Sequence, residues 1–94
     1  MTTFRIADDV AWVSREDLDD GTSPMAYAAL LPTGPPVSLE GSACLVWLAV
    51  ADGGTMEEIL AETAVMADAE PDAISADVRA LVDSLVAIGL VRAD

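Results

Sequence analysis

The side chains that carry most enzyme chemistry are nearly missing from this sequence. It has no histidine and no lysine, so the usual general base, the Schiff-base amine and the imidazole metal ligand are all lacking. The single cysteine, Cys44, is flanked by Ala43, Leu45 and Val46, which offer no cation to lower a thiol pKa, and it reads as a small core residue. The acidic run Arg15 to Gly21, REDLDDG, has the carboxylates and glycine of a calcium loop in the wrong register. With Gly21 at the loop's sixth position, Leu18 falls where an oxygen ligand is required and Tyr27 where the bidentate Glu belongs. A solvated acidic loop is expected there, and no enzyme activity, metal or cofactor follows from this inventory.

One triplet points elsewhere. Asp83 to Leu85, DSL, resembles the pantetheine attachment site of acyl carrier proteins. In that family the serine opens a helix near the middle of the domain and two further helical segments follow, whereas Ser84 lies late in a predicted helix with ten residues remaining. Nothing is left to build the bundle that would hold a prosthetic arm, so carrier function is set aside.

The elements that must position any binding site are more legible. The chain has 94 residues, 53% apolar, with 17 acids against 4 arginines and a formal charge of −13. That is too apolar for a disordered acidic tail and enough for one core, burying roughly 60–65% of the unfolded surface. A single domain over residues 1–94 is expected. The negative field disfavours nucleic acid and anionic membrane surfaces, whose affinity comes largely from Lys and Arg. The longest apolar run, Ala43 to Ala51, is far shorter than the about 18–20 residues needed to cross a bilayer. MTTFRIADDVAW at the start has neither the cationic end nor the apolar stretch of a secretion signal, which makes a cytoplasmic setting the default expectation.

Val10 to Val13, VAWV, predicts a strand, followed by a polar loop ending at Pro24 and a second strand over Met25 to Leu31, weakened by its alanines. PTGPP, Pro32 to Pro36, is a turn leading into a third short strand, Val37 to Leu39. Phe4 and Ile6 either add another strand or cover the core. From Gly41 the period changes, with Ser42 as N-cap of ACLVWLAVA, a run apolar on all sides whose poverty in β-branched residues favours a buried helix over a strand. Gly53-Gly54 ends it. Thr55 and Glu58 then form the capping box of a second helix with Met56, Ile59, Leu60 and Thr63 on its apolar stripe. Pro71 and Asp72 open a third helix reaching about Ile88, with Ile74, Val78, Leu81, Leu85 and Ile88 on one face and Gly89 as its stop. Val82 and Val86 widen that apolar arc beyond one stripe, which requires either another strand or a ligand. Leu90 to Arg92 can fold back as a short extended piece, and the last two residues are expected to fray.

VSLEGSACLVWLAV, DGGTMEEIL and ISADVRALVDSLVAIGLV together resemble, in order and spacing, the PqqD-like family of RiPP recognition elements, which bind leader peptides of ribosomally made, post-translationally modified peptides. Glu40 stands where many members have Asn. The resemblance implies an α+β, winged helix-turn-helix fold, with a three-stranded antiparallel N-terminal sheet followed by a three-helix bundle. It also implies a site in which the leader adds as a strand along Val37, Ser38 and Leu39, facing Asp77, Val78, Leu81 and Val82 of the third helix. The implied partners are a precursor (leader) peptide and a RiPP-modifying enzyme such as a leader peptidase, a cyclase or a radical SAM enzyme, with a homodimer left open. The alternative is a winged-helix regulatory or dimerisation module, although the third helix carries only Arg79 as a cation beside Asp77 and Asp83. On residue type alone, Val78, Leu81 and Leu39 are equally readable as core, and Asp77 as a solvated surface acid.

Overall fold

A helix that is apolar on every side can exist in water only if something covers each side, and this requirement organises the chain. The computed structural model describes residues 1–14, 25–31 and 34–94. The acidic run Arg15 to Gly21 and the start of the Pro32 to Pro36 turn lie outside the described residues. The elements are β1 (Thr3–Ile6), β2 (Val10–Ser14), β3 (Met25–Leu30), β4 (Val37–Glu40), α1 (Ser42–Asp52), β5 (Gly54–Thr55), α2 (Met56–Ala67), α3 (Pro71–Ala87) and β6 (Val91–Ala93). The α+β class is as expected. Helix α1 is the apolar run, with Cys44, Val46, Trp47, Ala49 and Val50 buried. It packs against α2, α3, β1, β3 and β4.

Two antiparallel three-stranded sheets form, which corrects the single N-terminal sheet expected from the sequence: β2-β3-β4 and β5-β1-β6. In the first, Trp12 pairs with Ala28 and Ala28 with Val37, while Ser14 pairs with Ala26 and Ala26 with Leu39. These rows face the core, where Ala26, Ala28 and Leu39 are buried. The alanines that weakened β3 as a strand therefore have a reason: small side chains on the inner face let α1 approach the sheet closely. Trp12 meets Trp47 of α1 edge to face, ring centroids 5.8 Å apart and planes at 83°, an arrangement favoured by the ring quadrupoles. On the outer face Val13 and Tyr27 are opposite each other and exposed.

The second sheet joins the two ends of the chain. β1 pairs with β6 through Phe4↔Ala93, Arg5↔Arg92 and Ile6↔Val91, and with β5 through Thr3↔Thr55 and Phe4↔Gly54. Phe4 and Ile6 thus belong to a strand, and the C-terminal end is not frayed. Thr3 and Asp94 exchange both backbone hydrogen bonds, at 3.1 and 2.8 Å. The Arg5 guanidinium donates to the carboxylates of Asp94 and Asp8, at 3.0 Å each, and these contacts, Asp94 first, hold it protonated above the ordinary arginine range.

Helix ends show how much of this is local. Gly41, at φ +59°, is the N-cap of α1 in place of the expected Ser42, which is already helical, and no side chain caps that end. A glycine is tolerated there because φ is positive. Thr55 and Glu58 form the full capping box, with Glu58 N–H donating to Thr55 Oγ1 at 3.2 Å and Thr55 N–H to Glu58 Oε1 at 3.0 Å. Helix α3 ends one residue before Ile88 in a Schellman motif. Leu90 N–H reaches Leu85 O and Gly89 N–H reaches Val86 O, both at 3.1 Å, with Gly89 at φ +88°. This reversal sends Val91–Ala93 back along β1. It also leaves Ile88 outside the stripe assigned to it, at 53% exposure, because it sits past the last full turn. Helix α2 ends the same way with Asp68 in the left-handed position, at φ 52°.

The helix ends yield three testable expectations. Thr55→Ala costs about 1 kcal/mol by urea unfolding. The backbone bond from Thr55 holds Glu58 ionised below the usual carboxylate range. A depressed folded pKa contributes stability that is complete above the unfolded value, about 4.3, and vanishes as pH falls through the lower folded value. The stability difference between the wild type and Glu58→Gln therefore shrinks on acidification through that window. Glu62 shifts the opposite way, raised by its hydrogen bond with Asp52, but cancels in this comparison. Asp68→Gly raises stability by about 0.5–1 kcal/mol, since a left-handed residue gains from losing its Cβ and a helix C-terminus from losing an acid; Asp68→Val lowers it.

Candidate functional site

The three strands of the β2-β3-β4 sheet leave β4 at one margin. Its N–H and C=O groups on one side pair with β3, and no other strand among the described residues pairs with its far side. An open margin of this kind accepts an extended chain by backbone hydrogen bonding, and neighbouring prolines limit how far such pairing spreads. Pro35 and Pro36 stand just before β4, both exposed. Along β4 the side chains alternate: Ser38 and Glu40 are exposed, Leu39 is buried and Val37 half-buried. Only the backbone and the outer side chains of this strand face solvent.

Two residues past β4 the chain enters α1, and here a cavity of about 130 Å³ opens between the three helices. Ala43 and Val46 of α1, Thr63 and Ala67 of α2, and Ile74, Val78 and Leu81 of α3 line it, together with the exposed polar residues Ser42 and Asp77. Most of this wall is hydrocarbon. Thr63, among the lining residues, is 1% exposed, and its enclosed Oγ1 finds no hydrogen-bond partner among the described residues. Trp47 Nε1 is in the same condition deeper in the core.

The residues that the sequence singled out divide into three groups. Val37, Ser38 and Leu39 form the edge strand, and Asp77, Val78 and Leu81 line the cavity. Val82 is elsewhere, 0% exposed in the core, with Val86 half-buried against that core. The wide apolar arc of α3 is thus absorbed by the chain's own interior, including β6, which α3 contacts. Leu39 and Val78 are core residues as well, at 4% and 3% exposure. Ser42 and Ala43, the first residues of α1 after β4, also line the cavity, and the sequence does not mark them as site residues. Nor did it single out Thr63 as a site residue, although a signal existed: it is the one hydroxyl on the apolar stripe of α2.

Reactive groups are scarce around this arrangement. Cys44 is wholly buried. Among the described residues no three His, Cys, Asp or Glu side chains come together as a metal site, and no helix is long and apolar enough to cross a membrane. Two geometric features stand out instead: a strand margin that no described strand pairs with, and a small, mostly apolar recess between the helices.

Known proteins agree with this architecture. No curated protein matches the sequence. Residues 28–91, about two-thirds of the chain, match the family described as Coenzyme PQQ synthesis protein D (PqqD). Among solved structures, TbiB1 in complex with the TbiA(beta) leader peptide shares the fold, with a TM-score of 0.70 over 94% of each chain at 23% sequence identity. From the family match, which spans β4, all three helices and the start of β6, the chain belongs to the PqqD family.

Proposed function

We propose that this protein is a RiPP recognition element that binds the leader region of a ribosomally synthesised precursor peptide by strand addition along β4 and presents it to a modifying enzyme. The observation that carries the reading is the open margin of β4, a strand followed two residues later by a helix whose first turns line the recess. The solved relative, TbiB1, is itself in complex with a leader peptide. In this reading residues 1–94 act as a single domain, β2, β3 and β4 are the wing of a winged helix-turn-helix, and α2 and α3 are its helical pair. It works in the cytoplasm without catalytic activity of its own. Val37, Ser38 and Leu39 supply the backbone ladder, Asp77, Val78 and Leu81 the wall of the recess, and Val82 holds α3 in place from the core side.

The energetics are consistent with useful affinity. Two or three leader side chains buried at about 1.5–3 kcal/mol each, added to the ladder, must exceed the roughly 2–5 kcal/mol needed to order a disordered peptide. Binding in the micromolar range, near −8 kcal/mol, is the expected result. The charge of −13 favours a leader or a modifying enzyme with basic residues near the contact. It also weighs against DNA as the partner, since on α3 only Arg79 is cationic, with its Nε donating to Ser75 Oγ at 3.2 Å.

The test is fluorescence polarisation with a labelled leader from the precursor encoded beside the gene. The wild type binds it at about micromolar concentration. Ser38→Pro, at the open margin, and Leu81→Glu, at the recess, each weaken binding at least about tenfold while circular dichroism stays native. Val65→Asp, on an exposed part of α2 outside the recess, leaves it unchanged. Binding no tighter than that of a scrambled peptide, or site variants that bind like the wild type, would overturn the reading.

A further inference from the structure

We infer, resting on the peptide-binding reading above, that Glu40 gives the β4 margin a charge preference: of the leader residues laid along this margin, the one beside Glu40 is a lysine or arginine, and it adjoins in sequence a side chain turned towards the helices.

Along β4, Leu39 is buried and Val37 half-buried, while Ser38 and Glu40 are exposed, which puts Glu40 on the outer face of the sheet, away from the core. It is the one charged side chain of that strand. Its cross-strand neighbour in β3 is Met25, which brings no charge. No arginine among the described residues pairs with it: Arg5 is held by Asp8 and Asp94, Arg79 donates to Ser75, and Arg92 lies in β6 of the other sheet. On its far side no described strand pairs with β4. An exposed carboxylate therefore stands at the margin where a leader strand is added, and no cation of the described chain neutralises it.

A strand added along β4 continues the pleat, so its residues alternate between the two faces as those of β4 do. Residues beside Val37 and Leu39 turn towards the helices, and residues beside Ser38 and Glu40 turn outward. Side chains directly opposite in an antiparallel pair have Cβ atoms about 4.5–5.5 Å apart, close enough for a long basic side chain to meet a carboxylate; opposite charges favour such a pair and like charges oppose it. Ser38, short and neutral, makes no choice by charge. Glu40 does, and the charge of −13 on the whole chain acts in the same direction. Because the pair is exposed, it adjusts affinity by a modest factor and is screened by salt.

The test starts from a random-peptide display library selected on the full chain. Each residue of the tightest peptide is replaced in turn by Ala, Lys, Gln and Glu, and the set is titrated by fluorescence polarisation against the wild type, Glu40→Gln, Glu40→Lys and Glu57→Lys, with melting curves confirming that each variant is folded. Glu57→Lys makes the same change in net charge at an exposed site just after β5, in the other sheet. On the wild type, one position next to an alanine-sensitive anchor prefers lysine to glutamate by about tenfold, and the preference shrinks as salt rises from about 0.05 to 0.5 M. Glu40→Gln flattens that preference, Glu40→Lys reverses it and Glu57→Lys retains it. If the peptide binds but its preference is the same on the wild type and Glu40→Lys, or Glu57→Lys alters it as much as Glu40→Lys does, the inference is overturned and the peptide-binding reading stands. If the wild type enriches no peptide at all, both fall together.

Discussion

Burial of α1 is the constraint on which the rest of the structure depends. Its eleven residues include five that are buried, and Ala43 and Leu48 pack against the same core, so no single face can be turned to water. The larger of these side chains contribute roughly 1.5–3 kcal/mol each when removed from solvent, and the alanines about 0.8 kcal/mol or less. That contribution is collected only if sheets and helices close around α1 together. One sheet covers it through β3 and β4, the other through β1, and α2 and α3 take the remaining sides. The margin of β4 is consequently held in place by the core: Leu39 is anchored under α1, and the strand's backbone is presented at a fixed angle beside the helices.

Much of this was legible in the sequence because it is local. The Thr55–Glu58 box, Pro71 at the first turn of α3 and Gly89 beyond its end act within a few residues of themselves, and each forms as its residue types require. The second sheet could not be read in the same way. β1, β5 and β6 are short, and each acquires its pairing from segments far away in sequence, so no periodicity within any one of them announces it. The same cause explains the misassigned end of the chain. Ala93 and Asp94 look frayed in isolation, and are ordered only because Thr3 and Arg5 are brought to them. The cap of α1 was missed for a smaller reason: Ser42 is the better capping residue by type, but the bend out of β4 needs positive φ, and Gly41 supplies it.

The elements that carry the candidate site were legible to a similar degree. Val37 to Leu39 lie in a strand and Asp77, Val78 and Leu81 on one helix, as the residue patterns predict. Val82 was harder to assign, because an apolar arc wider than one stripe signals a missing partner without saying what the partner is. Here the partner is the protein's own interior. Thr63 shows the reverse situation. Hydropathy patterning treats a threonine on an apolar stripe as a tolerated impurity, and only the structure shows that its oxygen is enclosed with no partner among the described residues.

Under the peptide-binding proposal, the β4 margin and the recess differ in what they offer a ligand. The N–H and C=O groups at the far side of β4 are common to every peptide, so exchanging water for peptide there yields a modest net gain for each bond, with little dependence on sequence. A mostly apolar recess of about 130 Å³ selects instead by size and shape. In that proposal the margin aligns the peptide and the recess fixes its register. Neither alone would suffice. A ladder without a recess slides, because a backbone has no landmarks, and a recess of about 130 Å³ without a ladder grips too little of an unfolded chain to offset the entropy of ordering it.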